Sequence, residues 1–438
     1  MRLYNTLTRQ VDELPAPPGP IRMYFCGPTV YARAHIGNAR PFILGMWLRS
    51  WLRLRGYEAS LVHNITDVND KIYEAAPGAS AELAARATQW YLDDTADLGL
   101  GMPDALPKAT DAVPHIVGFI EKLIERGNAY AAGGDVYFSV ASDPEYGQLS
   151  RQRLDDMEPE ETNALKRAPQ DFALWKATKP GEDTSWDSPW GAGRPGWHIE
   201  CSVMAEDAFG PAFEIHGGGL DLRFPHHENE LAQSRALGHD FARIWTHNGM
   251  LTFGDEKMSK SLGNDVSIRN VLDTWGREVV LLFYLNGHWR KPIEFTDDTL
   301  AQAKAQVERF RNVFRAPSAP GADWSAFERA LDDDFNTPQA LAIMHGWRDH
   351  ELLRRALAVF GLASLAQDAE APAELVALAT ARQRAREAGD FTEADRLRDE
   401  IAAAGWDVRD VPGGFELVPQ SSSGPGVGGS AADASSRS

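Results

Sequence analysis

Read for its hydrophobic and polar positions, the chain opens with a short strand over Arg22–Phe25, the turn-forming Gly27-Pro28-Thr29, and an amphipathic segment from about Asn38 to Leu54. Ser60–Ile65 (SLVHNI) predicts a second strand ending in Thr66-Asp67. Strand, loop, helix and strand in that order form the βαβ grammar of a parallel sheet, whose ligands sit at the carboxyl ends of the strands. The pattern changes from about Pro103 to Pro195: a helix over His115–Arg126, a strand-like Asp135–Val140, then polar, Trp- and Pro-rich sequence. This predicts an insertion that splits the sheet domain. Strand and helix alternation resumes at Phe213-Glu214-Ile215 and runs to about Thr252. From Ser267 onward the pattern is helical, with Leu300–Val313 and Leu352–Leu365 as clear cases. Gln367–Ala373 reads as a linker to a small unit, Glu374–Gln420, and Ser421–Ser438, almost without large apolar residues, is expected to be disordered.

Composition narrows the class. With 438 residues, 43% hydrophobic and 24% charged, the chain matches an ordinary soluble protein of roughly two to four domains. No apolar run approaches the ~20 residues that cross a bilayer, and Met1–Gln10 lacks a signal-peptide core, so a cytoplasmic protein without membrane partners is expected. Lys and Arg number 44 against 63 Asp and Glu, a net charge of −19, which opposes non-specific attraction to nucleic acid. Any such contact must rest on local basic patches. The only cysteines are Cys26 and Cys201, too few for a disulfide scaffold; their bland reading is two reduced core thiols.

Three constellations carry candidate chemistry. Cys26 and Cys201 combine with Phe224-Pro225-His226-His227-Glu228-Asn229-Glu230. If Pro225 opens a helix, His226 and Glu230 share a face at i and i+4, and two thiolates, an imidazole and a carboxylate make a tetrahedral zinc set. Spacing alone equally allows His227 with Glu230 at i and i+3. The second is His35-Ile36-Gly37-Asn38 at a strand-to-helix junction, where backbone N–H groups and the helix dipole face a bound phosphate. Gly37 permits close approach of a nucleotide, and His35 and Asn38 supply donors. The third is Lys257-Met258-Ser259-Lys260-Ser261, followed by Leu262-Gly263-Asn264; two lysines and two hydroxyls suit charge building on a triphosphate. Each alone is also an ordinary loop or solvated helix start.

HIGN followed by KMSKS resembles the signature pair of class I aminoacyl-tRNA synthetases. With FCGPTVY (Phe25–Tyr31), NITDV (Asn64–Val68), GRPGWHIECS (Gly193–Ser202), IHGGGLDLRFPHHENE (Ile215–Glu230) and DDDFNTPQAL (Asp332–Leu341), the chain resembles the cysteinyl-tRNA synthetase family over about residues 1–420. The resemblance implies an α/β fold: a Rossmann-like parallel-sheet catalytic domain split by an insertion, then a helical bundle and a small C-terminal anticodon-binding domain. On that reading the catalytic halves are 1–102 and 196–252, the insertion 103–195, the KMSKS loop and stem-contact region 253–299, the bundle 300–366, the anticodon-binding unit 374–420 and the tail 421–438.

It also implies roles. Cys26, Cys201, His226 and Glu230 would bind one Zn²⁺ per chain. Thr66, Trp197 and His216 would hold L-cysteine. His35, Gly37, Asn38 and Lys260 would bind ATP, which brings Mg²⁺, with His35, Asn38, Lys257 and Lys260 catalytic. Zinc in a thiolate-rich site would prefer sulfur to oxygen where shape discriminates poorly. In the C-terminal unit, Arg382, Arg386, Phe391, Asp395 and Asp410 become candidates for reading the anticodon of tRNA(Cys), with Phe391 stacking on a base; Arg384 lies between the two arginines, and Arg309, Arg311 and Arg315 are candidate backbone contacts. A monomer is expected. The sequence departs from the family at Asn69, where NITDVNDK replaces the usual second carboxylate, at Tyr31-Ala32-Arg33-Ala34, and at Phe391, often Trp. Two other readings compete: a ligase of the mycothiol type, which joins cysteine to an amino sugar and needs no anticodon domain, and an inactive tRNA-binding paralogue.

Overall fold

The computed structural model describes residues 1–154, 157, 163–253, 266–366, 371–404, 406–411 and 414–419. Lys257, Lys260, most of the expected linker and the expected tail fall outside them.

Four parallel strands form the central sheet, in the spatial order Phe241–Asn248, Ala212–Gly219, Pro20–Phe25, Glu58–His63. Along Pro20–Phe25 side chains alternate between two cores. Met23 and Phe25 pack with the helix Ile36–Leu54, while Tyr24 and the following Cys26 pack on the other face. The chain leaves Pro20–Phe25 for Glu58–His63 on one side and returns through Ala212–Gly219 on the other. That reversal opens a crevice at the carboxyl ends of the strands. The edge strand Phe241–Asn248 is covered by the hairpin Arg2–Asn5/Gln10–Glu13, whose Asn5 side chain accepts the Trp245 N–H (3.0 Å) and donates to the Arg243 carbonyl (3.0 Å).

Between the sheet halves stands an antiparallel sheet of Ala129–Ala132, Asp135–Phe138, Phe172–Ala177 and Gly193–Pro195, preceded by the helix Ala109–Glu125. After it come the helices Ile268–Trp275, Arg277–Asn286, Asp297–Arg315, Trp324–Asp332, Thr337–His345 and His350–Val359. The described residues close with two helices, Ala373–Glu387 and Phe391–Ala403, and a hairpin, Trp406–Val411 with Gly414–Pro419. The α/β class expected from the periodicity is the one observed. One helix is shorter than the apolar spacing implies. Leu352–Leu365 breaks after Val359, because Gly361 turns at φ +74° and packs where a Cβ would meet Leu100 at 2.4 Å; a 3₁₀ turn, Ala363–Ala366, follows. Among the described residues no helix is long and apolar enough to cross a membrane.

Candidate functional site

The carboxyl ends of the central strands converge on a cleft of about 350 Å³ walled by Cys26, His35, Gly37, Asn38, Trp197 and Asp221 among others. On its sulfur-bearing side three separate segments meet. Cys26 leaves Pro20–Phe25, Cys201 lies on the helix Trp197–Phe209, and His226 and Glu230 lie one turn apart on His226–Ala236. Their ligand atoms all lie within 4.8 Å of one another, and all four residues are buried. His226 Nε2 stands 3.1 Å from Glu230 Oε1, and Cys26 Sγ 3.7 Å from that oxygen. His198 Nδ1 contacts His226 Nδ1 at 2.9 Å, which fixes the ring with Nε2 toward Glu230, while the Trp197 ring stacks on it at 4.3 Å.

The electrostatics suit a cation. Burial pushes the Cys26 thiol up, with Cys201 and Glu230 adding to the effect. A hydrogen bond from Cys26 pulls Cys201 down, but burial and Glu230 outweigh it. Burial, then the nearby His198 and His216, holds His226 well below the usual imidazole range, so the ring is neutral and its lone pair available. Two thiols, a neutral imidazole and a carboxylate in one dry hollow form a soft donor set that a divalent metal would satisfy and deprotonate.

Spacing left His226 and His227 open, and both rings arrive at Glu230. Cys26, His216, His227 and Glu230 also lie within 4.8 Å of one another. Only the His226 set contains both sulfurs; His227 Nδ1 instead contacts His247 Nε2 at 2.8 Å. Of the residues expected to hold an amino acid, Trp197 reaches the cleft wall. Thr66 and His216 are buried behind it. His216 Nε2 sits 3.6 Å from Cys26 Sγ and 3.2 Å from Glu230 Oε2, and its ring stacks on Tyr24. Asn64 links the strand end at Gly27 to Thr66: its Oδ1 accepts the Gly27 N–H (2.9 Å) and its Nδ2 donates to Thr66 Oγ1 (3.2 Å). Gly27 allows this closeness, since a Cβ there would strike the Asn64 carbonyl oxygen at 1.7 Å.

Across the cleft, HIGN is a helix cap. The Gly37 N–H donates to His35 Nδ1 (3.1 Å) and the His35 N–H to Asn38 Oδ1 (3.1 Å), a reciprocal capping box. In the neutral ring this leaves the His35 proton on Nε2. Asn38 keeps its amide nitrogen as a donor, and no acidic side chain occupies the first turn of Ile36–Leu54. Asn69, the departure in NITDVNDK, caps Asp70–Ala75 by accepting the Lys71 N–H (3.1 Å). The Lys71 ammonium, 5.5 Å from the Tyr31 ring centroid, is a cation on the cleft wall that sequence reasoning passed over. So is the role of Arg40. Buried on Ile36–Leu54, its guanidinium donates to the carbonyls of Gly249, Met250 (3.3 Å), His288 (3.1 Å) and Lys291 (2.8 Å), and burial lowers its pKa to about 10. It ties the HIGN helix to the Gly249–Met250 wall.

In the C-terminal unit, Asp410 accepts from Arg382 (2.8 and 3.3 Å) and from Arg386. Arg382 is buried, Arg386 and Asp410 are exposed, and Phe391 stands 65% exposed at the start of its helix. Asp395 is exposed beside Arg398 (3.6 Å). Arg311 pairs with Glu308 (2.8 Å), and Arg315 with Asn312 (2.9 Å) and Glu416 (3.4 Å).

Comparison with known proteins gives these arrangements a context. Residues 14–305 match the family described as tRNA synthetases class I (C) catalytic domain, 326–354 a DALR domain, and 368–416 the cysteinyl-tRNA ligase anticodon binding domain. Cysteine–tRNA ligase of Halorhodospira halophila is 44% identical over 455 residues, covering 94% of this chain and 98% of the relative. The cysteine–tRNA ligase of Methylobacillus flagellatus is 43% identical over 450 residues, with the same shares. Among solved structures, Mycobacterium tuberculosis methionyl-tRNA synthetase bound by methionyl-adenylate aligns with a TM-score of 0.57 at 14% identity, over 78% of this chain and 84% of that one; this likeness speaks for the fold.

Proposed function

The chain belongs to the cysteine–tRNA ligase family, and from that premise we propose that it activates L-cysteine with ATP and passes it to tRNA(Cys), selecting its substrate at Cys26, Cys201, His226 and Glu230. The observation that carries the reading is the convergence of two buried thiols, an imidazole and a carboxylate beside a cleft whose opposite wall is a capped helix N-terminus.

Those four residues would hold one zinc ion, which supplies a soft acceptor for the substrate thiolate that a serine hydroxyl cannot match. Trp197 walls the amino-acid end of the cleft, and Thr66 and His216, buried behind that wall, would support it. In the first step the substrate carboxylate attacks the α-phosphorus of ATP and pyrophosphate leaves, giving cysteinyl-adenylate. His35 Nε2–H, the Asn38 side-chain amide and the positive end of the helix dipole face the growing negative charge, as does Lys71. Gly37 gives the nucleotide close access to the backbone. Lys257 and Lys260 would complete the phosphate contacts, and Mg²⁺ would accompany ATP. Because this charge is greatest in the transition state, these donors raise rate and not affinity alone. In the second step the 3′-terminal adenosine hydroxyl of tRNA attacks the adenylate carbonyl and AMP leaves; no protein base is assigned.

Residues 374–420 identify the tRNA, with Phe391 offering a stacking face and Arg382, Arg386, Asp395 and Asp410 polar contacts. The remaining divisions follow the sequence reading: catalytic halves 1–102 and 196–252, insertion 103–195, stem-contact region 253–299 and bundle 300–366. The protein works in the cytoplasm as a monomer. A mycothiol-type ligase would have no use for the C-terminal unit matched at 368–416. Aminoacylation of tRNA(Cys) transcripts with cysteine and with serine, with zinc measured in the same preparation, tests the reading. Cysteine-specific charging by protein holding one zinc per chain is expected; charging of neither amino acid, or equal charging of both, overturns it.

A further inference from the structure

The loop that leads into HIGN and the segment that follows KMSKS in sequence lie side by side. The Ile36 N–H donates to the Val266 carbonyl (2.8 Å) and the Ile268 N–H to the Ala34 carbonyl (2.9 Å), with His35 opposite Ser267 in an antiparallel bridge. Arg33, two residues before His35, and Arg269, in the first turn of the helix Ile268–Trp275, bring their guanidinium groups together beside this bridge. Two guanidinium groups brought this close repel and would push the bridge apart. They are held by one carboxylate. Asp94, on the helix Ser80–Ala96, has a side chain only 1% exposed; its Oδ1 accepts from Arg33 Nη1 (2.9 Å) and Arg269 Nε (2.9 Å), and its Oδ2 from Arg33 Nη1 (3.1 Å). Arg269 is further anchored by Asp97 (2.6 Å) and Asp273 (3.2 Å), so of the two arginines Arg33 depends more on Asp94.

We propose that Asp94 is a positioning residue for adenylate formation, clamping Arg33 to Arg269 so that the bridge between them holds His35 at the cleft wall. This rests on the ligase reading above. Asp94 touches no reacting atom. It acts through the backbone on either side of His35, and a displacement of about 1 Å at such a group costs on the order of 100-fold in rate. The clamp is invisible in the sequence, where Asp94 is one of several acidic residues on an amphipathic helix.

The test uses the full-length, zinc-loaded protein in cysteine-dependent ATP–pyrophosphate exchange, with amide hydrogen exchange of Ile36 and Ile268 as a second readout. Asp94→Asn is expected to lower kcat about 10- to 100-fold, leave KM for cysteine within about twofold, and speed exchange at both amides. Adding Arg33→Ala to Asp94→Asn removes the repulsion and is expected to restore kcat at least about threefold, a rescue that a packing role for Asp94 would not give. The inference is overturned if Asp94→Asn keeps kcat within about twofold of the parent, if KM for cysteine rises in step with the loss, or if the double variant is no better than Asp94→Asn. Should Asp94→Asn not fold, Asp94→Glu, which keeps the charge, decides by the same two amides: protection retained supports the clamp, protection lost overturns it. If the parent itself shows no cysteine-dependent exchange, the ligase reading fails, and amide exchange still judges the clamp.

Discussion

The sulfur-bearing cluster and the C-terminal unit each set one carboxylate among nitrogen donors, yet they treat water oppositely. Glu230 meets His216 and His226 where all three side chains are at most 1% exposed, and burial keeps the histidine of the His226–Glu230 pair neutral. Asp410 meets Arg382 and Arg386 with its side chain 51% exposed, and hydrogen bonds from Arg382, then Arg386, lower its pKa to about 2. Dry groups are costly to leave unpaired and hold one geometry, which suits the discrimination of sulfur from oxygen. Exposed ion pairs are worth little and exchange partners readily, which suits a surface that must trade its internal contacts for those of an RNA. On the proposed reading, burial would mark the part that selects by coordination, and exposure the part that selects by docking.

The largest effect should come from the dry side. Cys201→Ser is expected to lose the bound metal and lower cysteine-dependent pyrophosphate exchange by about 1,000-fold or more, while the circular dichroism of the fold is kept, because the ligands are spread over three segments of a large core. Metal content per chain and exchange rate measured together check this; full metal content in the variant would remove Cys201 from the site. On the exposed side, Asp410→Asn is expected to lower kcat/KM for tRNA charging about 10- to 100-fold and to leave pyrophosphate exchange within twofold. Phe391→Ala should cost about tenfold in tRNA charging, within the range of one lost base stack, with no change in melting temperature since the ring is already 65% exposed. Loss of adenylation in either variant would erase the division of labour.

The smallest effect concerns pH. His63, which contacts Tyr91 Oη at 2.6 Å, is held down to about 4 by burial, and His247 to about 3 for the same reason. Their folded pKa values lie below the unfolded 6.5, so the unfolded chain binds more protons between these limits. The stability they contribute is full above about pH 6.5 and is lost as pH falls toward 4 and 3. Asp410 is also depressed, but from 3.8 to about 2, so its contribution persists until pH drops below about 4. Thermal melts followed at pH 7, 5.5 and 4.5 should show the catalytic body weakening first, with hydrogen exchange in 373–403 unchanged over that range. Simultaneous weakening of both would contradict the comparison.

Much of this was readable without coordinates. Gly37, Asn38 and the histidine before them stand at a strand-to-helix junction that the local pattern predicts, and the capping box at His35 is a short-range consequence of those residue types. The helix start at His226 likewise follows from its neighbours, although spacing could not choose between His226 and His227, since both lie within one turn of Glu230. Arg40 was illegible: in the sequence it is an arginine on an amphipathic helix, and only the docking of Gly249–Met250 and His288–Lys291 supplies four carbonyls around it. The break at Gly361 was missed because apolar spacing continues through it.

The amino-acid order by itself determined the class of fold, the ordered signature segments and the small set of side chains able to bind a soft metal or a phosphate, because periodicity, capping and donor chemistry act over a few neighbouring residues. Only the tertiary structure decided which imidazole shares Glu230 with two sulfurs, that Arg382 is packed away while Phe391 is presented, and that Asp94 stands between two opposed arginines. Those outcomes depend on which distant segments share a low-dielectric interior, and the strength and even the sign of a charged contact are set there.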